Sequence, residues 1–127
     1  MVHYHARTVE LIQSAGQTAR NMGHSCVDSV HLLLAMVGQS GTAGQVLRRL
    51  GMDPELTCTM AAVLYGEGCC RLPLPQGLTK ESRSVLRGAA EEARRNACRE
   101  IEPIHVLLSL ARHGCGGAGE ILRFWGV

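Results

Sequence analysis

Histidine and cysteine, six of each, are the residues with the most chemical potential in this chain. His31 and His105 sit inside apolar runs, Val30-His31-Leu32-Leu33-Leu34 and Ile104-His105-Val106-Leu107-Leu108. An acid–base role would need a carboxylate beside each ring, and the runs supply none. The expectation is therefore two buried imidazoles, each satisfied by a hydrogen-bond partner. His24-x-Cys26 and His113-x-Cys115 make two H-x-C pairs. Two nitrogens and two sulfurs are a legitimate zinc set by type, but such sites space their ligands more widely than one intervening residue. Cys69 and Cys70 are adjacent, a spacing that bridges only with strain, and Arg71 alone supplies positive charge nearby. No nucleophile has a base and an orienting acid patterned around it, which excludes a hydrolase. No G-x-x-x-x-G-K-[ST] phosphate loop is present. The expectation is no catalytic residue, no metal and no cofactor. The alternative from another class is a small metal- or redox-responsive cytosolic helical protein that uses the cysteines and H-x-C pairs.

The rest of the composition narrows the class. The chain has 127 residues, one domain's worth. Apolar residues make up 46% and aromatics only 3%, so the core must be aliphatic. That apolar content argues against disorder, and the scarcity of rings argues against a strand-rich sandwich. The most apolar stretch, Val30 to Val37, contains His31 and is far too short to span a bilayer. No secretory h-region is visible, and the expected setting is the cytoplasm with reduced thiols. Net charge is +2, with five Arg against five acids up to residue 77 and seven Arg plus one Lys against six acids after it. That balance provides no clustered basic face, so nucleic acid is not an expected partner, nor is a membrane.

The elements that would position these residues come in duplicate. Val30-His31-Leu32-Leu33-Leu34-Ala35 matches Ile104-His105-Val106-Leu107-Leu108-Ser109 at an offset of 74. The same offset pairs Leu11-Ile12 with Val85-Leu86, Ala15 with Ala89 and Ala19-Arg20 with Ala93-Arg94. One inserted residue later, Ala43 through Arg48 matches Ala118 through Arg123. Repeat one runs over residues 4–52, a fourth helix and linker over 53–77, and repeat two over 78–127, all within a single domain, 1–127.

Each repeat reads as helices. Val9, Ile12, Ala15, Ala19 and Met22 recur at three- and four-residue steps, with Gly23 as a stop. Ser29 is a candidate cap for a second helix to Val37, and Thr42 for a third ending at Gly51. Asp53-Pro54-Glu55 starts a fourth helix that would carry Leu56, Met60, Val63 and Leu64. Thr79 opens a long helix to about Ala97, with Ser82, Val85, Leu86, Ala89 and Ala93 inside. Arg87, Glu91 and Arg95 form a mutually paired outer ladder. Glu102-Pro103 starts the next helix, and a short one from about Gly117 to Trp125 closes the chain. Gly66 to Gly77, with two prolines and no helical period, is the linker.

The repeated pattern, a long helix, then x-H-[ILV]-L-L, then G-x-A-x-x-[VI]-L, resembles the Clp repeat of the N-terminal domain of Clp-family AAA+ unfoldases. It is carried by Gly23-His24, Val27, His31 through Met36 and Gly41 through Met52, and again by Ile101, His105 through Leu110 and Gly116 through Val127. The resemblance implies an all-α fold of two pseudo-twofold-related repeats in one compact domain. It also implies a binding role, recruiting substrate proteins or adaptors for a Clp ATPase ring, with no chemistry of its own. The family continues into an eighth helix, so seven helices and an apolar patch near Phe124-Trp125 are expected here. In some members paired pockets hold phosphorylated arginine, with an acid immediately before each helix-two His. Val30 and Ile104 hold those positions here, and neither can accept a bond from a guanidinium. The expectation is two apolar contacts instead. The family's threonine at the start of each long helix matches His5 and Thr79, and its neighbouring arginine matches Arg7 and Glu81. The protein-binding candidates are thus His5, Arg7, Val30, Thr79, Ile104 and Phe124.

Overall fold

The computed structural model describes residues 3–24, 26–65, 77–112 and 116–124. In the first half a two-residue strand β1 (His3–Tyr4) leads into α1 (Ala6–Asn21), α2 (Ser29–Gly38), α3 (Thr42–Arg49) and α4 (Pro54–Tyr65). In the second, α5 (Lys80–Arg95) is followed by β2 (Glu100–Ile101), α6 (Pro103–Arg112) and α7 (Gly116–Phe124). Seven helices are present among the described residues, the number expected. The linker 66–76, Trp125 and the side chain of Phe124 lie outside the description, so the expected apolar patch at Phe124-Trp125 does too.

The two halves cross over each other through short parallel pairings. Tyr4 pairs with Ile101, and Leu78 pairs with Val27. Adding 74 to Tyr4 and Val27 gives Leu78 and Ile101, so each pairing is the other's mate under the repeat. The polar fastenings repeat as well. Thr8 Oγ1 donates to the Ile101 carbonyl, and Ser82 Oγ donates to the Val27 carbonyl at 2.9 Å. Each hydroxyl answers a buried acceptor that would otherwise be orphaned.

Thr8 also explains a correction. The buried face of α1 is Thr8, Leu11, Ala15 and Ala19, while Val9 is 42% exposed. An apolar stripe alone selects Val9. The Ile101 carbonyl needs a donor, and Thr8 supplies it from the inner face. In α5 the inner stripe is as expected: Ser82, Val85, Leu86, Ala89 and Ala93 are all buried, joined by Glu92. The helix ends are also related by the repeat. Gly23 takes φ 72° after α1, and its mate Ala97 takes φ 55° after α5.

Several other expectations are corrected. Asp28, not Ser29, caps α2, its carboxylate accepting from the Ser29 N–H at 2.8 Å. Gly41, with φ 130°, rather than Thr42, precedes α3, and no side chain caps that helix. Among the α4 side chains described, Thr57 and Ala61 are buried, whereas Leu56 and Val63 are 45% and 79% exposed. This helix is apolar on more than one side, and its contacts with α2 and α7 decide which side turns in. The outer ladder of α5 is not self-paired. Arg95 turns to Glu92 at 3.5 Å, and buried Glu92 takes its short contact, 2.7 Å, from Arg112 Nε on α6.

The core is aliphatic throughout, with Leu11, Leu32, Leu33, Met36, Leu47, Ile121 and Leu122 essentially inaccessible. α2 lies at its centre, touching α1, α3, α4, α5, α6 and α7. That position explains why seven of its ten residues are buried and why its sequence has no polar face.

Candidate functional site: the junctions between the repeats

The duplication creates two equivalent junctions. In each, the start of one repeat's long helix meets the start of the other repeat's second helix. One junction joins Thr79 and Glu81 to Asp28, Ser29 and Val30. Its mate joins His5 and Arg7 to Glu102, Pro103 and Ile104. The six sequence candidates, Phe124 apart, all fall at these two places.

The first junction is sealed. Thr79 caps α5, accepting from the Ser82 N–H at 3.1 Å, and its hydroxyl donates to Asp28 Oδ1 at 2.9 Å. Ser29 Oγ donates to Glu81 Oε1 at 3.0 Å. Burial raises the Glu81 carboxyl above its ordinary value, Ser29 opposes that shift, and the nearby Asp28 charge adds to it. Val30 is fully buried in the core. It presents no surface, so an apolar contact there with a partner is not possible without rearrangement.

The second junction is open. His5 caps α1, its Nδ1 accepting from the Arg7 N–H at 3.0 Å. Pro103 stands where Ser29 stands in the mate and has no hydroxyl to bridge the gap. Arg7 reaches sideways instead, donating to the Ser40 carbonyl at 2.8 Å, while the Gln39 amide donates to the Arg7 carbonyl at 2.9 Å. The result is a cleft of about 340 Å³ lined by His5, Arg7, residues 39–44, Glu102, Pro103 and Ile104. Its walls include an exposed guanidinium, an exposed carboxylate at Glu102 and the half-buried Ile104. Such a cleft can take an extended segment with an apolar side chain and a polar or charged neighbour.

Reading the sequence alone did not find the floor of this cleft, Gln39-Ser40-Gly41. A signal was present in Ser40-Gly41, a turn dipeptide between two helical runs. The close packing behind it is carried by Gly44, where a Cβ would come within 2.1 Å of the Gln39 carbonyl oxygen. The α2–α3 turn therefore sits directly on the α3 backbone.

The two helix-two histidines are buried, at 2% and 3% exposure. Each closes its own helix start: His31 Nδ1 accepts from the Asp28 N–H at 2.8 Å, and His105 Nδ1 accepts from the Glu102 N–H at 2.9 Å. The pairing with Asp28 is a capping box in which His fills the position usually taken by Glu or Gln. His31 Nε2 lies 2.8 Å from His24 Nδ1. Burial lowers the His31 value to about 4, His24 pushes the same way, and Asp28 opposes. Among the described residues no group of three or more His, Cys, Asp or Glu can hold a metal ion. Cys69, Cys70, His113 and Cys115 lie outside the description.

Fold and cleft together define a duplicated all-α domain with its open site at a repeat junction. Residues 3–64 match the family described as the Clp repeat (R) N-terminal domain. The chain is 29% identical over 122 residues to the chloroplastic chaperone protein ClpC1 of Oryza sativa subsp. japonica, covering 95% of this chain and 13% of that protein. It is equally similar to the chloroplastic ClpA homolog of Brassica napus, an ATP-binding subunit of an ATP-dependent Clp protease, of which it covers 14%. Among solved structures, the N-terminal domain of the ClpD chaperone from Arabidopsis thaliana superimposes with a TM-score of 0.80 at 20% identity, covering 98% of this chain and 88% of that one. The Hsp104 N-terminal domain from Candida albicans gives 0.76 at 15% identity, covering 98% and 83%. The chain thus spans about an eighth of the length of the relatives it matches. No helix among the described residues is long and apolar enough to cross a membrane.

Proposed function

We propose that this domain, 1–127, is a non-enzymatic protein-binding module that recruits substrate proteins or adaptors for ATP-dependent unfolding by a Clp-type ring. The reading rests on the kinship with Clp N-terminal domains. The observation that carries it is the open junction at His5, Arg7 and Ile104. One of two equivalent junctions is sealed by Thr79–Asp28 and Ser29–Glu81, and the other leaves a cleft at the protein surface. Docking there would be reversible: a segment lays an apolar side chain against Ile104 and Pro103 while its polar atoms meet Arg7 and Glu102. Phosphorylated arginine is a poor match, since the cleft offers one cation and no acid at position 104. The compartment follows the parent protein, either the cytoplasm or, as in the relatives above, the chloroplast. Nucleic acid and membrane are not partners in this reading, and the metal- or redox-responsive alternative is not carried forward.

The test is fluorescence anisotropy with a reduced, carboxymethylated and permanently unfolded protein as the probe. The expected result is saturable binding that Arg7→Ala and Ile104→Ser weaken while both variants keep the parent's helical circular-dichroism spectrum at the assay temperature. Equal binding by both variants would remove the cleft from the proposal. An absence of binding by the parent chain would remove the function.

A further inference from the structure

The near-neutral charge of the whole chain conceals a basic stripe on α5. Lys80, Arg83, Arg87 and Arg94 are exposed and project within about 60° of one another around the helix. Glu91 is the one acid on that side. Among the described residues none of the four basic side chains makes an ion pair or a hydrogen bond, and buried Glu92 takes its partners from Arg95 and Arg112 instead. The matching positions of α1 are Ala6, Val9, Gln13 and Arg20, so duplication alone does not account for the stripe.

The stripe borders a pocket. Arg83 and Arg87 form the α5 side of a hollow of about 420 Å³, and Tyr4 of β1, 43% exposed, forms the other side. Leu86 and Ile101, both buried, lie beneath it with the half-buried Leu78 and Ala90. The first half has the matching hollow, about 440 Å³, with Ile12, Gly16 and Val27 at the equivalent places. There the Gln13 amide stands where Arg87 stands, and Val9 stands where Arg83 does. Two unpaired guanidinium groups on the rim of an apolar hollow thus mark one half only. The hollow shares no lining residue with the cleft at Arg7.

Charge and spacing identify the occupant. We propose that this hollow binds an extended acidic segment of a partner protein, with one apolar side chain set down between two carboxylates. In an extended chain the neighbours on either side of a residue point the same way and lie about 6.6 Å apart. Arg83 and Arg87 are separated by about 6 Å along α5. An apolar side chain directed onto Leu86 and Ile101 therefore leaves both flanking carboxylates level with the two guanidinium groups. Lys80 and Arg94 extend the attraction to acids further along the segment. A second copy of this chain would bring the same arginines face to face, which disfavours it. The chain's own linker, 66–76, offers one acid, Glu67, and one base, Arg71, rather than a carboxylate pair. A nucleic acid would meet Glu91 inside the stripe and an apolar floor that its phosphates cannot use. This surface adds to the cleft function and does not depend on it.

The test uses the 127-residue chain and three fluorescein-labelled peptides, Gly-Ser throughout except for a central Glu-Leu-Glu, Lys-Leu-Lys or Glu-Ala-Glu. The expected result is saturable binding of the Glu-Leu-Glu peptide that shifts the Tyr4 ring and Leu86 methyl resonances, with each of the other two weaker by about ten-fold or more. Raised salt should weaken the Glu-Leu-Glu peptide. Arg83→Gln combined with Arg87→Gln in the protein should weaken it by about ten-fold while keeping the parent's helical circular-dichroism spectrum, because neither side chain has a partner to lose. Equal binding of the acidic and basic peptides, shifts confined to other helices, or full binding by the double variant overturns the proposal. Tighter binding of a labelled oligothymidylate at the same resonances also overturns it, since nucleic acid is then the occupant. So does a dimer in sedimentation that the Glu-Leu-Glu peptide dissociates, which makes the occupant a second copy. A gain of about ten-fold in peptide affinity on Glu67→Gln overturns it as well, because the chain's own linker then fills the hollow.

Discussion

Acid should unlock this domain at His31. The imidazole is 2% exposed, accepts from the Asp28 N–H through Nδ1 and lies 2.8 Å from His24 through Nε2. Its folded value of about 4 lies below the ordinary His value of 6.5 because burial penalises the cation. The unfolded chain therefore binds a proton that the folded chain refuses. The stability tied to neutral His31 is complete above about pH 6.5 and is lost as pH falls from there toward about 4. Lowering the pH from about 7.5 to about 5 removes on the order of 2 kcal/mol through this one group. Glu81 works in the opposite sense, since its raised folded value makes acid favour the folded form. A control that leaves Glu81 untouched is therefore needed. His31→Gln is that control, because Gln at this position completes an ordinary capping box and titrates nothing. Urea unfolding followed by circular dichroism, at a series of pH values, compares the two proteins. The parent should lose about 2 kcal/mol more than His31→Gln over this range. Parallel pH profiles, or a His31 ring that titrates near its ordinary value by NMR, would refute the reasoning.

Other outcomes are expected from the same geometry. Ala97 holds φ 55° where its mate is Gly23, so Ala97→Gly should raise stability by about 1 kcal/mol in urea unfolding. Gly16→Ala meets nothing within 4 Å and should gain about 0.5–1 kcal/mol from helix propensity. Gly44→Ala should instead lose about 1–3 kcal/mol or more, because its Cβ meets the carbonyl oxygens of Gln39 and Met36 at 2.1 and 2.9 Å. Arg112→Met strips the 2.7 Å partner from Glu92, whose side chain is 6% exposed, and should cost about 2 kcal/mol at neutral pH. Glu92→Gln in the same background should recover part of that loss.

Periodicity and punctuation made much of this protein legible before any coordinates. The pair Asp53-Pro54 starts α4, and Gly23 ends α1, because both carry their conformational preference locally. The inner stripe of α5 was readable because its opposite face is strongly polar. The duplication was readable because a copy preserves residue types at fixed offsets, and it led to the resemblance to the Clp repeat and to the all-α fold. Caps were less certain, since Asp28 and Ser29 are both good caps and only the backbone geometry separates them.

Tertiary structure decided the rest. Which side of α1 and α4 turns inward depends on what lies opposite: the Ile101 carbonyl calls in Thr8, and the seat on α2 and α7 accepts Thr57 and Ala61 over Leu56 and Val63. The burial of Val30 and the half-exposure of Ile104 have the same origin, since matching positions in the repeat meet different neighbours. Above all, the sequence shows two equivalent junctions, and the fold makes them unequal. Ser29 has a hydroxyl within reach of Glu81 and Pro103 has none, so one junction closes and the other opens as a cleft. Sequence fixes local preference at short range, whereas an open site depends on which atoms from distant segments fail to meet.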